Sequence, residues 1–349
     1  SLAQNGYRVL LVGRQRAISR PLTSQIYQQH RLVVYFSRGK LFYLEYNLRL
    51  LFYLLFRKFD AYCAADLDTA VPLFLTAKYT HKPFIYDAHE YFPEVAEVTK
   101  RPLVKFIWSA VEKWIVPRTR FAYTVSDSLA GVFQHKYLVP FAVIRNCAAL
   151  QPEVNVALKS APKYLLYQGA VNAGRGLEIL LHAMPQINIP LLVCGEGDVL
   201  KDLQQLSQEL HLADKVFFKG YILPQELRFI TAQAFLGINL LQNQGLSYYY
   251  SLGNKFFDYL HAGVPQLMVD FPEYRILNNE YQVGEVVDLS PEAIASVVNS
   301  LLQKPEQYGQ LVENCRRARL ELNWQNEEKK LLAFYQTLWT PPQPQNQVI

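Results

Sequence analysis

Cysteine is scarce in this sequence: four residues in 349, at positions 63, 147, 194 and 315, with no Cys-x-x-Cys pair and no zinc-ligand spacing. That excludes a disulfide framework and a structural zinc module, and it fits a reducing cytosol best. Sixteen Gly and nineteen Pro exclude a collagen-like or elastic chain. The longest apolar stretch, residues 41–59, is broken by Glu45, Arg49, Arg57 and Lys58, too much charge to span a bilayer comfortably. No signal-like n-region or apolar h-region opens the chain, so nothing predicts export. No Asp-x-Asp carboxylate cluster stands beside the glycine loops described below, so no bound metal is expected there.

What is present is apolar material for packed cores: half the residues are hydrophobic and 13% are aromatic. A chain this long exceeds what one core usually organises, which predicts two domains. Charge divides the same way, with 20 Lys and Arg against 10 Asp and Glu in residues 1–150, and 15 against 20 in 151–349. A basic first half suits an anionic partner, such as a membrane surface or a lipid-phosphate acceptor. No Lys/Arg stripe with interleaved aromatics appears, which argues against nucleic acid.

Short apolar runs alternate with helix-length segments throughout. In the first half, strands are expected at 9–12, 32–36, 61–65, 84–86, 121–125 and 142–144, with helices over 69–78, 104–115 and 126–134, the last capped by Ser126 or Asp127. Residues 41–59 read as a core helix, apolar nearly all round, in preference to an interfacial membrane helix, with Glu45 and Arg49 as an i,i+4 surface pair. The opening residues read as the last turn of a helix, a Gly6 cap and a strand running into Gly13, so a leading strand and a helix start are expected before Ser1. Residues 151–162 carry two prolines and no period, and predict a linker. The pattern then restarts with strands at 163–167, 191–194, 216–218, 236–241 and 266–269, separated by helices. Two doubly wound α/β domains with parallel sheets follow, facing a cleft.

Three strand-end loops of the second half suit a phosphate site, because glycines admit close backbone approach and helix N-termini offer N–H donors. The first runs Gly169-Ala-Val-Asn-Ala-Gly-Arg-Gly176 and sets Arg175 ahead of a helix. The second is Gly195-Glu196-Gly197. In the third, Gly253 and Asn254 open a helix whose first turn holds Lys255, a cation at the wrong end of the dipole unless an anion is shared with it. Asp258 follows one turn later and could accept from ribose hydroxyls.

These loops in this order resemble the donor half of retaining glycosyltransferases of family 4, glycosyl transferases group 1, with the GT-B fold. Tyr86-Asp-Ala-His-Glu-Tyr-Phe-Pro-Glu94 is similar to that family's histidine segment, 247–265 to its donor helix, and 323–335 to a closing helix that returns to the first domain. The resemblance implies domains at 1–150 and 163–322, a returning helix at 323–339 and a mobile tail at 340–349. It implies that His89 faces the transferred sugar and that Gly169, Arg175, Gly195, Glu196, Gly253, Asn254, Lys255 and Asp258 bind the donor. Tyr221 and Ile222 match the loop that packs on the base. Two positions depart from the pattern: Ala170 stands where the family has a second cation, and Tyr250 where its E-x7-E pair has the first acid.

The implied activity is transfer of a sugar, with retention and without metal or other cofactor, from a nucleoside-diphosphate-sugar to a glycan or lipid-linked acceptor in surface polysaccharide synthesis. The implied location is cytoplasmic, peripheral at the inner face of the plasma membrane. Two alternatives stand beside it. One is a GT-B-like epimerase, which would need cleft carboxylates such as Asp87, Glu90 or Glu94. The other is a catalytically weak donor-binding partner subunit, suggested by Ala170 and Tyr250.

Overall fold

The computed structural model describes residues 1–152 and 164–339. The expected linker, apart from Gln151 and Pro152, and the expected tail at 340–349 lie outside the described residues. The chain forms two compact units, one of Ser1–Ile144 with the segment from Glu328 onward, the other of Arg145–Glu327.

In the first unit, β1 (Leu10–Gln15) pairs in parallel with β2 (Gln28–Val33). A separate parallel sheet runs in the order β3 (Tyr62–Ala65), β4 (Phe84–Ala88), β5 (Phe121–Thr124) and β6 (Ala142–Val143). A mostly apolar cavity of about 480 Å³ is lined from both sheets by Leu10, Val12, Tyr62 and Cys63. Helices Gly39–Leu55, Ala70–Thr80, Pro102–Ile115 and Asp127–Tyr137 supply the crossovers that parallel pairing demands. Ser126 caps the last, its Oγ accepting from the Leu129 N–H at 3.2 Å. From the C-terminal segment, Phe334 lies edge-on to Tyr123 at 5.1 Å, and Tyr335 edge-on to Tyr7 at 6.0 Å.

Two expectations for this unit are corrected. The second strand ends at Val33 rather than running over 32–36. Its continuation is diverted because the Tyr35 and Phe36 N–H groups donate to the Glu45 carboxylate, each at 2.9 Å, instead of to a neighbouring strand. The helix at 39–55 is also not a core helix all round. Tyr46, Leu50 and Leu54 are buried, but Leu41, Leu44, Leu48, Phe52 and Leu55 are exposed, because the unit packs against only one side of it. Its Glu45–Arg49 pair forms at 2.8 Å.

The second unit holds one parallel six-stranded sheet made of β7 (Leu165–Gln168), β8 (Leu191–Cys194), β9 (Val216–Gly220), β10 (Leu236–Asn239), β11 (Gln266–Met268) and β12 (Gly284–Val286). The order is β12-β11-β10-β7-β8-β9. Strands β7, β8 and β10 are buried along their whole length, as apolar runs covered on both faces must be. Alternation divides their side chains between two cores: Leu165 and Tyr167 join the larger cluster, Leu166 the smaller one with Leu192 and Tyr259. Truncating Leu165 to Ala would cost about 2–5 kcal/mol. The chain winds from β7 outward to β9, then returns to place β10 on the other flank of β7. That reversal is a topological switch point, and ligands of such sheets sit beyond the carboxyl ends of the strands there.

Candidate functional site

Beyond those strand ends the loops are laced together through their backbones. The Gly169 N–H donates to the Cys194 carbonyl at 3.0 Å, Val171 N–H to Glu196 at 2.9 Å, and Gly195 N–H to Gly220 at 2.8 Å. Gly195 has φ +155°, and a Cβ there would stand 1.8 Å from the Gly169 carbonyl oxygen. Its glycine serves loop-to-loop approach. Glu196 joins the lacing through its carbonyl, and its side chain is exposed. Gly169, at φ +119°, faces open space and leaves the crest of the loop accessible.

Two cations of the same unit lie close enough to act on each other. Lys255 leaves the first turn of the helix Asn254–His261 and sets its Nζ 3.9 Å from the centre of the Tyr167 ring. Arg175 precedes the helix Leu177–Ala183 and lies over the Tyr248 ring at 5.1 Å. Cation–π contact stabilises each charge by about 0.5–2 kcal/mol. Among the described residues neither cation has a carboxylate within ion-pair distance, and Arg175 Nε is buried with no hydrogen-bond partner. Burial, with Arg175 nearby, lowers the Lys255 pKa from its ordinary 10.5 to about 7. Two like charges gathered without an anion form a receptor for one. Gly253 caps the same helix in extended conformation without a side-chain cap. The Asn254 side chain accepts from Asn146 Nδ2 at 3.1 Å.

Asp258, one turn past Lys255, does not pair with it. The carboxylate accepts from Gln168 Nε2 at 2.9 Å, while Thr231 Oγ1 donates to Gln168 Oε1 at 2.7 Å. Burial raises the Asp258 pKa, with the Gln168 hydrogen bond opposing. Gln168, Thr231 and Asp258 line a cavity of about 240 Å³ whose wall is continued by Leu227, Arg228 and His261. Of the loop leading into the helix Pro224–Thr231, Tyr221 is exposed and Ile222 packs on the smaller core. Tyr250 closes the helical turn Leu246–Tyr249, its ring 5.1 Å from that of Tyr249.

His89 belongs to the first unit, just beyond β4. Its Nε2 lies 3.1 Å from Asp87 Oδ2, and its backbone N–H donates to Asp66 Oδ1 at 2.8 Å. Asp66 adopts φ +59°, which costs a non-glycine residue about 1 kcal/mol or more. The Tyr123 hydroxyl donates to the same Asp87 oxygen at 2.9 Å. The hydrogen bond to Asp87, with Asp66 and Glu90 adding, raises the His89 pKa to about 9 against the opposing effect of burial. Burial raises Asp66 to about 6. His89 is thus an imidazolium at neutral pH, held by a carboxylate on one edge.

The structure therefore gathers Gly169, Arg175, Lys255 and the helix start at Gly253–Asn254 in one unit, which also holds the cavity lined by Gln168 and Asp258. Sequence reasoning missed the Tyr167 and Tyr248 rings, the Gln168–Thr231 relay, and Asp66 and Tyr123 beside His89. Tyr167 and Gln168 stand at the end of a predicted strand, a position that could have flagged them. Among the described residues no cluster of three or more His, Cys, Asp or Glu is arranged to hold a metal ion.

Known proteins resemble this chain in part of its sequence and in its fold. Residues 153–318 match the model of glycosyl transferases group 1. An alpha-monoglucosyldiacylglycerol synthase of Streptococcus pneumoniae is 23% identical over 233 residues, 64% of this chain and 47% of the relative. The chain spans about half the length of the curated relatives it matches. Among solved structures, sucrose-phosphate synthase from Thermosynechococcus elongatus superposes with a TM-score of 0.81 at 20% identity, covering 97% of this chain and 90% of the other. Anabaena HepE in complex with UDP and glucose superposes at 0.71 and 12% identity, covering 89% and 87%. These likenesses give the fold, which is that of GT-B glycosyltransferases.

Proposed function

From a chain whose residues 153–318 belong to the glycosyl transferases group 1 family, we propose a retaining, family-4 type glycosyltransferase that moves a sugar from a nucleoside-diphosphate-sugar to a lipid-linked or glycan acceptor. The observation that carries this reading is the pair Arg175 and Lys255, two cations stacked on tyrosines with no carboxylate among the described residues within ion-pair distance. Breaking the anomeric bond builds charge on a diphosphate leaving group, and preorganised cations stabilise such charge most effectively. Arg175, Lys255 and the N–H groups at the Gly253–Asn254 helix start supply it, so no metal is required. Asp258 takes the ribose hydroxyls in the cavity beside Gln168, and Tyr221 and Ile222 flank the base. His89 acts at the transferred sugar, where its imidazolium and Asp87 balance developing charge.

The relative that builds a glucosylated diacylglycerol supports a lipid-linked acceptor, and the UDP bound by HepE supports a uridine donor. The setting is surface glycolipid or polysaccharide assembly at the cytoplasmic membrane face. The test is incubation with a panel of UDP-, GDP- and ADP-sugars and a diacylglycerol or polyprenyl-phosphate acceptor, with the anomeric configuration of the product read by NMR. Product with inverted configuration refutes retention. One second reading has its own observation: Ala170 and Tyr250 replace a cation and a carboxylate, which favours a donor-binding partner subunit. Binding of diphosphate with neither transfer nor donor hydrolysis would select it.

A further inference from the structure

Three side chains of the second unit form a relay whose direction is set by their chemistry. Thr231 Oγ1 donates to Gln168 Oε1 at 2.7 Å, and Gln168 Nε2 donates to Asp258 Oδ2 at 2.9 Å. Gln168 and Thr231 are each only 3% exposed. An ionised carboxylate accepts and cannot donate, so the amide turns its nitrogen to Asp258 and its oxygen to Thr231. The Thr231 hydroxyl is available for that oxygen. The other acceptor in its reach, the Leu227 carbonyl at 2.8 Å, lies four residues back in the helix Pro224–Thr231, where the backbone ladder supplies it with an N–H.

A separate clamp holds the two ends of this relay in place. The Gln168 N–H donates to the Tyr259 hydroxyl at 3.1 Å, and that hydroxyl donates to the Leu166 carbonyl at 2.9 Å. Tyr259 is fully buried and directly follows Asp258 in the helix Asn254–His261. One side chain thus ties the end of β7 to that helix, so the spacing of Gln168 and Asp258 does not depend on the amide between them. What the amide adds is orientation. It engages Oδ2 alone, while Asp258 Oδ1 has no hydrogen-bond partner among the described residues and Asp258 lines the cavity of about 240 Å³. Burial disfavours the charged carboxylate, and the Gln168 hydrogen bond opposes that effect.

We propose that Gln168 is a positioning residue: it fixes the Asp258 carboxylate so that Oδ1 accepts from one ribose hydroxyl, and the Thr231–Gln168–Asp258 relay thereby selects ribonucleotides over deoxyribonucleotides. An acceptor aimed at that hydroxyl is left unpaired by the hydrogen that replaces it in a deoxyribose, and a site built around such a bond rejects the analogue that lacks it. Orientation matters because a carboxylate free to rotate keeps its lone pairs on water and loses less when the hydroxyl is removed. The inference rests on the ribose assignment of Asp258 made above, and adds the two residues that make that contact selective.

Calorimetry with UDP, GDP and ADP, each against its 2′-deoxy and 3′-deoxy forms, reads the selectivity, and inorganic pyrophosphate reads the Arg175 and Lys255 site alone. In the wild type at least one deoxy form should bind about tenfold or more weakly than its parent, the loss expected for a hydrogen bond to a charged group. Gln168→Met and Thr231→Val, similar in shape but unable to relay, should each bring that ratio toward one with pyrophosphate affinity unchanged, whereas Thr231→Ser should keep it. Unchanged pyrophosphate affinity shows that a variant is folded, and the two variants alter different elements, so one that unfolds leaves the other to decide. No binding, or a ratio of one, in the wild type refutes the ribose reading and the inference with it. A wild-type preference that survives Gln168→Met and Thr231→Val leaves the ribose reading standing and overturns the relay. Loss in Thr231→Ser as large as in Thr231→Val overturns it too, since the hydroxyl would then be irrelevant.

Discussion

Lys255 gives the phosphate assignment a pH signature that no structural lysine would share. In the free protein its ammonium lies over the Tyr167 ring without a counter-ion, and burial with Arg175 nearby holds its pKa at about 7. A diphosphate beside it favours the charged form and raises that pKa. Binding above pH 7 must then take up a proton. Between pH 7 and 9 the protonated fraction of the free lysine falls from a half to about one in a hundred, so Kd should weaken about fifty-fold, or about 2.3 kcal/mol at 1.36 kcal/mol per pH unit. Calorimetry with UDP in two buffers of different ionisation enthalpy counts the proton directly, and the count should rise toward one by pH 8.5. In Lys255→Met the uptake and the slope disappear and binding is weak at every pH. Wild-type affinity that stays flat from pH 7 to 9, with no proton taken up, refutes the reasoning. Arg175 supplies the internal comparison, because a guanidinium does not titrate in this range.

Three further outcomes follow from the same geometry. Because the His89 pKa is raised from 6.5 to about 9, its contribution to stability is complete below pH 6.5 and lost as pH rises through 9; His89→Gln should abolish that part of the pH dependence in denaturant melts, and Asp87→Asn should move the imidazole titration, read by NMR, back toward 6.5. Gly195→Ala places a Cβ 1.8 Å from the Gly169 carbonyl oxygen at φ +155°, and should cost roughly 2 kcal/mol or more in urea unfolding; a change under 0.5 kcal/mol would mean the loops are not laced as described. Ser126→Ala removes the Oγ that accepts from the Leu129 N–H, and should cost about 1 kcal/mol, measurable in the same unfolding curves.

Much of the α/β architecture was legible because buried parallel strands read as continuous apolar runs. The strand Leu191–Cys194 appears where the sequence places it. The errors have physical causes. The strand expected over 32–36 begins instead at Gln28, since polar Gln28, Gln29 and His30 pair with β1 and a carboxylate ten residues away captures the end of the run. Periodicity called residues 41–59 apolar all round, which is correct as a pattern, but it cannot say that only one of two apolar faces finds a partner. In the site, Arg175 and Lys255 were legible as cations beside helix starts. Their convergence on Tyr167 and Tyr248 was not, because it depends on how loops 80 residues apart in sequence meet at the switch point. The acids around His89 are likewise a product of two adjacent strands, β3 and β4, presenting Asp66 and Asp87 together.

The most direct measurement is a calorimetric titration of UDP, GDP and ADP onto the wild-type chain and onto the double variant Arg175→Ala, Lys255→Ala at pH 7. Removing two charge-assisted contacts at about 1.5–3 kcal/mol each predicts that at least one nucleoside diphosphate binds the wild type and that the double variant loses a hundredfold or more in affinity. Equal affinity in both proteins, or no binding of any of the three to the wild type, would contradict the account.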